Sequence, residues 1–130
     1  MTVVVGYIPD KFGDAALAAG IEEARRRETD LVIVNATKGD APIDRRYLGA
    51  DAWADLEHRL MDLGRPHQLR RAMGADVAAE ILKVARDTDA ELVVIGIRHR
   101  TPVGKMIMGS VAQQVLLDSP CPVLAVKPPD

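Results

Sequence analysis

Residues 91–126, ELVVIGIRHRTPVGKMIMGSVAQQVLLDSPCPVLAV, decide how the rest of the chain is read. Leu92 to Ile95 is a short, β-branched apolar run of the kind that forms a strand buried on both faces. Gly96 ends it, and a polar loop follows with Arg98, His99 and Arg100, then Gly104-Lys105. Gly109-Ser110 opens a helical pattern with Val111, Ala112, Val115 and Leu116 on one face. After Pro120 and Pro122, Val123 to Val126 forms a second apolar run. Strand, glycine-bearing basic loop, helix start and strand make a βαβ-like unit. The first amides of such a helix, together with its dipole, can hold an anion.

Upstream the alternation continues. Thr2 to Val5 reads as a strand closed by Gly6, and Tyr7 to Gly13 as a loop. Asp14 is the expected N-cap of a helix that turns Leu17, Ile21 and Ala24 inward. Leu31 to Val34 is a second buried strand, and Asn35 to Ala50 a long polar connection. Trp53, Leu56, Leu60 and Leu63 form one apolar stripe of a helix ending at Gly64. His67 to Met73 alternates weakly as a strand, and Asp76 precedes a helix with Val77, Ile81, Val84 and Ala85 inward. Arg27-Glu28-Thr29-Asp30 and Arg86-Asp87-Thr88-Asp89 repeat one helix-to-strand joint, with nothing longer recurring. Residues 1–130 are thus expected to form one α/β domain, an open five-stranded parallel sheet with helices on both faces. Ligands of such sheets sit at the carboxyl ends of the strands, where the strand order reverses. The loops after Gly6, at Asn35-Ala36 and after Gly96 share that edge.

Composition narrows the function. A net charge of −2 with both signs interleaved gives no footprint for nucleic acid, and four aromatics offer few stacking platforms for a single strand. The apolar runs are too short to cross a bilayer and no apolar leader precedes them, so no membrane partner and a cytoplasmic location are expected. The single cysteine, Cys121, excludes an intrachain disulfide and a thiolate metal cluster. His58 and His67 lack a spaced carboxylate or cysteine partner, so no metal site is expected. Ser110 and Ser119 lack an assignable base, so no catalytic residue is named.

Gly104-Lys105 does not complete a Walker loop. That motif needs glycine where His99 stands, five residues before Gly104, and serine or threonine where Met106 stands. What survives is Gly96, Gly109-Ser110 and the cations Arg98, Arg100 and Lys105 between them. An ordinary turn, an ordinary N-cap and a solvated basic loop account for the same residues, and from the residues alone that reading has the edge.

The run from Gly96 onward nevertheless resembles the universal stress protein family. Nucleotide-binding members of that family carry glycine, two residues, glycine, nine residues, glycine, then serine or threonine. Gly96, Gly109 and Ser110 fall into that register, Cys121 to Val126 resembles the family's last strand, and Val3 to Tyr7 its first. The resemblance extends over essentially the whole chain. It departs at His99, in place of the second glycine, and at Ile8, where the family has an aspartate near ribose and adenine.

The resemblance implies a Rossmann-like fold of the adenine-nucleotide α-hydrolase type and a module that binds an adenine nucleotide, ATP in the first instance. The resemblance also implies that such a module acts as a dimeric switch in a stress response. The base is expected against Gly6, Tyr7, Ile8, Asn35 and Ala36. The phosphates are expected at Gly96 and the amides of Gly109, Ser110 and Val111, screened by Arg98, His99, Arg100 and Lys105. A Mg²⁺ ion accompanying the phosphates would draw on Asp10, Asp14 or Asp40, for which a solvated-loop role competes. A homodimer is expected through Val123–Val126. The rival is a homodimeric scaffold that works without nucleotide, supported by Ile8 and His99. A slow ATPase ranks behind both, because no water-positioning base is identifiable.

Overall fold

A computed structural model describes residues 1–8, 10–37, 50–73, 76–97 and 109–128. Among the described residues, five strands and four helices alternate along the chain. They are β1 (Thr2–Gly6), α1 (Lys11–Arg27), β2 (Asp30–Thr37), α2 (Ala50–Leu60), β3 (His67–Met73), α3 (Val77–Asp87), β4 (Ala90–Gly96), α4 (Ser110–Asp118) and β5 (Val123–Val126). A 3-10 turn, Met61–Leu63, extends α2. Every pairing is parallel, in the order β3-β2-β1-β4-β5. The expected sheet is therefore observed, including the weakly patterned β3.

Side-chain alternation sorts the core into two layers. Val3, Val5, Leu31, Ile33, Leu92 and Val94 face α1 and α2, meeting Leu17, Leu56 and Leu60. Val4, Val32, Val34, Val93 and Ile95 face the other way, against Ile81 and Val84 of α3 and Ala112 and Val115 of α4. A strand covered on both faces has no polar side to show, which is why these runs are continuously apolar. Val3, Val4 and Val5 of the central strand are fully buried.

Three expectations change. The α1 helix starts earlier than Asp14: Asp10 is its N-cap, the carboxylate accepting from Gly13 N at 2.9 Å. Asp14 sits in the first turn, where its charge still favours the helix dipole. Asn35 and Ala36 belong to β2 rather than to a connection, because β3 pairs along its length as far as Thr37↔Met73. Leu116 does not join the inner stripe of α4; it is 39% exposed and Leu117 74%, while Ala112 and Val115 are buried.

The repeated tetrapeptide also resolves into two different joints. In the first, Glu28 takes the left-handed conformation at φ 53° and caps α1. In the second, the helix continues through Asp87 and the left-handed residue is Asp89, at φ 52°. Two residues more lie between the second tetrapeptide and its apolar run, so the reversal falls later.

Replacing Asp10 by alanine should lower the unfolding free energy by about 1 kcal/mol in urea denaturation, and Asp10→Ser should restore most of it. An unchanged midpoint for Asp10→Ala would contradict the cap.

Candidate functional site

Because α1 lies on one face of the sheet and α3 and α4 on the other, a crevice opens at the carboxyl ends of β1 and β4. It holds a cavity of about 210 Å³. Its floor is made by the strand ends, with Gly6, Val34, Ala36, Ile95, Gly96 and Ile97. One wall is the start of α1, with Asp10, Phe12 and Gly13. The other is made by Val77 and Ile81 of α3 and by Gly109, Val111 and Ala112 where α4 begins. Tyr7 and Ile8 close the β1 side. The lining is aliphatic for the most part, as ligand cavities generally are.

Two close backbone approaches shape the α1 wall. A Cβ on Gly96 would lie 2.4 Å from the Phe12 carbonyl oxygen, and one on Gly13 would lie 1.7 Å from that of Ile8. Only glycine allows the helix start to rest on the end of β4 and on the β1 loop. Gly109 is different: among the described residues, a Cβ there meets nothing within 4 Å. Among the described residues, packing does not require glycine at this position.

The three helix starts at the cavity are not equivalent electrostatically. Asp10 caps α1 and Asp76 caps α3, its carboxylate accepting from Ala79 N at 3.0 Å. Helix α4 begins at Gly109, in extended conformation, with no side-chain cap. Its first amides therefore retain the capacity to meet an acceptor from solvent or from a ligand.

Tyr7 joins this edge to the helical layer. Its backbone N–H donates to Val34 O at 2.9 Å, and its carbonyl accepts from Asn35 Nδ2 at 2.9 Å. Its hydroxyl donates to Asp14 Oδ1 at 3.3 Å, an oxygen that Arg59 Nη1 approaches at 3.4 Å. Burial first, then the Asp14 carboxylate, push the Tyr7 hydroxyl up to about 12, with Arg59 pulling the other way.

Of the residues anticipated from sequence, Gly6, Tyr7, Ile8, Ala36, Gly96, Gly109 and Val111 all line this one cavity. Asn35 stands behind it, fully buried and bonded to the Tyr7 carbonyl. Ser110 is the first residue of α4, exposed and outside the lining. Arg98, His99, Arg100, Lys105 and Asp40 lie outside the described residues. Asp10 and Asp14, considered for Mg²⁺, are engaged with Gly13 N and with Tyr7 and Arg59. Among the described residues no group of three metal-ligating side chains forms, and no helix is long and apolar enough to cross a membrane.

Phe12, Gly13, Val77, Ile81, Ile95, Ile97 and Ala112 were not anticipated at the site. Val77 and Ile81 were legible as the inner stripe of α3. That the first turn of this stripe overhangs the cavity depends on where the crossover lands.

The Universal stress protein family model matches residues 1–127. A universal stress protein of Mycolicibacterium smegmatis is 53% identical over 126 residues, covering 97% of each chain. Among solved structures, the universal stress protein from Archaeoglobus fulgidus in complex with dAMP is similar with a TM-score of 0.66 and 24% identity, covering 98% of both chains. A universal stress protein in complex with cAMP gives a TM-score of 0.73 at 24% identity, covering 99% of this chain and 98% of that one.

The raised Tyr7 ionisation sets an alkaline dependence of stability. Above the ordinary tyrosine value of 10.0 the unfolded chain releases this proton, while the folded chain keeps it to about 12. The stability advantage of wild type over Tyr7→Phe should be constant below pH 10 and shrink as pH rises toward 12, read from urea midpoints. A constant difference across that window would remove Tyr7 from the linkage.

Proposed function

We propose, because this chain belongs to the universal stress protein family, that it is an adenine-nucleotide-binding module that takes ATP at the β1–β4 crevice and answers by changing its protein contacts. The observation that carries this reading is the pairing of an aliphatic cavity with the start of α4, which, unlike those of α1 and α3 beside it, has no side-chain cap. A flat base would enter between the starts of α1 and α3, against Ile8, Ala36 and Ile81. The phosphates would meet the first amides of α4 from Gly109 onward, where the dipole favours negative charge. Arg98, His99, Arg100 and Lys105 supply cations in the intervening sequence. The cavity is smaller than the roughly 300 Å³ at which drug-sized pockets begin, so it suits a base with the tail lying outside. Relatives of this fold hold dAMP and cAMP, which supports an adenine nucleotide. Any Mg²⁺ would ride on the phosphates, since Asp10 and Asp14 are already engaged.

The partner surface in this reading is β5. It is a sheet edge whose four residues are only half-buried, and Leu117 of the preceding helix is 74% exposed. The opposite edge, β3, carries Arg70 and Arg71, charges that discourage strand pairing. Antiparallel pairing of Val123–Val126 with its own copy would close the apolar edge about a two-fold axis. A second reading, a dimeric scaffold without nucleotide, draws on Ile8, an aliphatic side chain where the family carries an aspartate.

Denaturing the purified protein and identifying the released small molecule by mass spectrometry separates the two readings. Calorimetric titration with ATP follows. Gly109→Val should fold normally, since its Cβ has open space among the described residues, yet weaken ATP binding by roughly tenfold or more. Undiminished binding would move the phosphates away from α4. Sedimentation at micromolar concentration should give a dimer, and Leu124→Lys should shift it to monomer; a wild-type monomer would defeat the β5 interface.

A further inference from the structure

The aromatic residues raise a question that the aliphatic cavity does not answer. The chain has only four, and two of them, Tyr7 and Phe12, stand at this crevice. Tyr7 is committed to the interior: it packs in the α1–α2 layer and its hydroxyl is held by Asp14. Phe12 has no such commitment in that layer. It is half-buried, lines the cavity, and projects from the second residue of α1.

Its position is closely determined. The Phe12 carbonyl rests on Gly96, where an added Cβ would come within 2.4 Å of the oxygen and 3.1 Å of the Phe12 Cβ. The next residue, Gly13, is held against the Ile8 carbonyl and receives the Asp10 cap. The backbone that carries the ring is thus clamped between the β1 loop and the end of β4. On the ring itself, the Lys11 ammonium stands 5.3 Å from the centroid, over one face. The ring quadrupole attracts the cation to that face.

We propose that Phe12 is the base-selecting residue of the crevice, a fixed aromatic wall on which a purine ring stacks while Lys11 covers the ring's opposite face. This rests on the nucleotide reading above and adds to it the residue that sets base preference. Stacking on a side chain scales with the overlapping ring area and is indifferent to edge substituents. Phe12 therefore favours purine over pyrimidine nucleotides, leaving any choice among purines to backbone groups at the strand ends. Leucine at this position keeps comparable bulk but offers no π face.

The test is calorimetric titration of wild type, Phe12→Leu and Phe12→Trp with ATP and with CTP. Wild type should prefer ATP. Phe12→Leu should weaken ATP by roughly tenfold and CTP by less, so the ATP:CTP affinity ratio falls. Phe12→Trp should retain ATP affinity, and its new tryptophan should be quenched on saturation. Wild-type emission should not move, because Trp53 is not part of the cavity lining. A merely structural role would weaken both nucleotides together and leave their ratio unchanged; that result overturns the proposal while nucleotide binding stands. Unquenched emission from Phe12→Trp at saturating ATP overturns it equally, and decides the matter alone if Phe12→Leu does not fold. Absence of ATP binding by wild type overturns the nucleotide reading itself, and this inference with it.

Discussion

Everything at the candidate site follows from the reversal of strand order at β1. The chain first winds outward through α1 and α2 to β3, then returns across the sheet and winds outward again through β4 and β5. Right-handed crossovers in opposite directions must place their helices on opposite faces. The α1 and α2 helices accordingly share one core layer and α3 and α4 the other. Between β1 and β4 no helix bridges the carboxyl edge, and the crevice is what remains. The central strand bears both layers, which is why Val3, Val4 and Val5 are all fully buried. A polar residue at any of them would strand an unsatisfied group in one core or the other.

The same reversal brings three helix starts to one place, and their caps then differentiate them. Asp10 and Asp76 satisfy the starts of α1 and α3 and put a negative charge on each. Those ends are poor places for a further anion. The start of α4 has Gly109, whose missing side chain is not required by packing among the described residues. The contrast with Gly96 and Gly13, both forced by carbonyl contacts below 2.5 Å, separates glycine kept by the fold from glycine that the fold does not explain.

Edges complete the organisation. A five-stranded open sheet has two, and this chain treats them differently. The β3 edge is charged, with Arg71 stacked 4.1 Å over the Trp53 ring and Arg70 bonded to Gln68. The β5 edge has no charge within Val123–Val126 and is half-buried by its own domain. Charge on an edge strand discourages pairing with another strand, and β5 lacks that protection.

The residues themselves determined the sheet and its class. Runs such as Val3 to Val5 and Leu92 to Ile95 are apolar without interruption, a local property that needs no partner to be read, and stripes such as Leu56, Leu60 and Leu63 fix the helices between them. Seven of the anticipated site residues meet at one cavity because they stand at the carboxyl ends of β1, β2 and β4 or at the start of α4, where the fold class already places ligands. Tertiary structure decided the rest. Asn35 reads as a loop residue on polarity, yet it is buried in β2 because the Tyr7 carbonyl needs its donor. Asp10 rather than Asp14 caps α1 because the β1 loop ends sooner once Gly13 rests on Ile8. Leu116 fits an inward periodicity, but α4 turns it outward beside an open edge. Phe12 carries no motif, and it reaches the cavity only because Gly96, 84 residues later, leaves room for its carbonyl. Contacts of that range are set by how layers meet, which periodicity along one segment cannot encode.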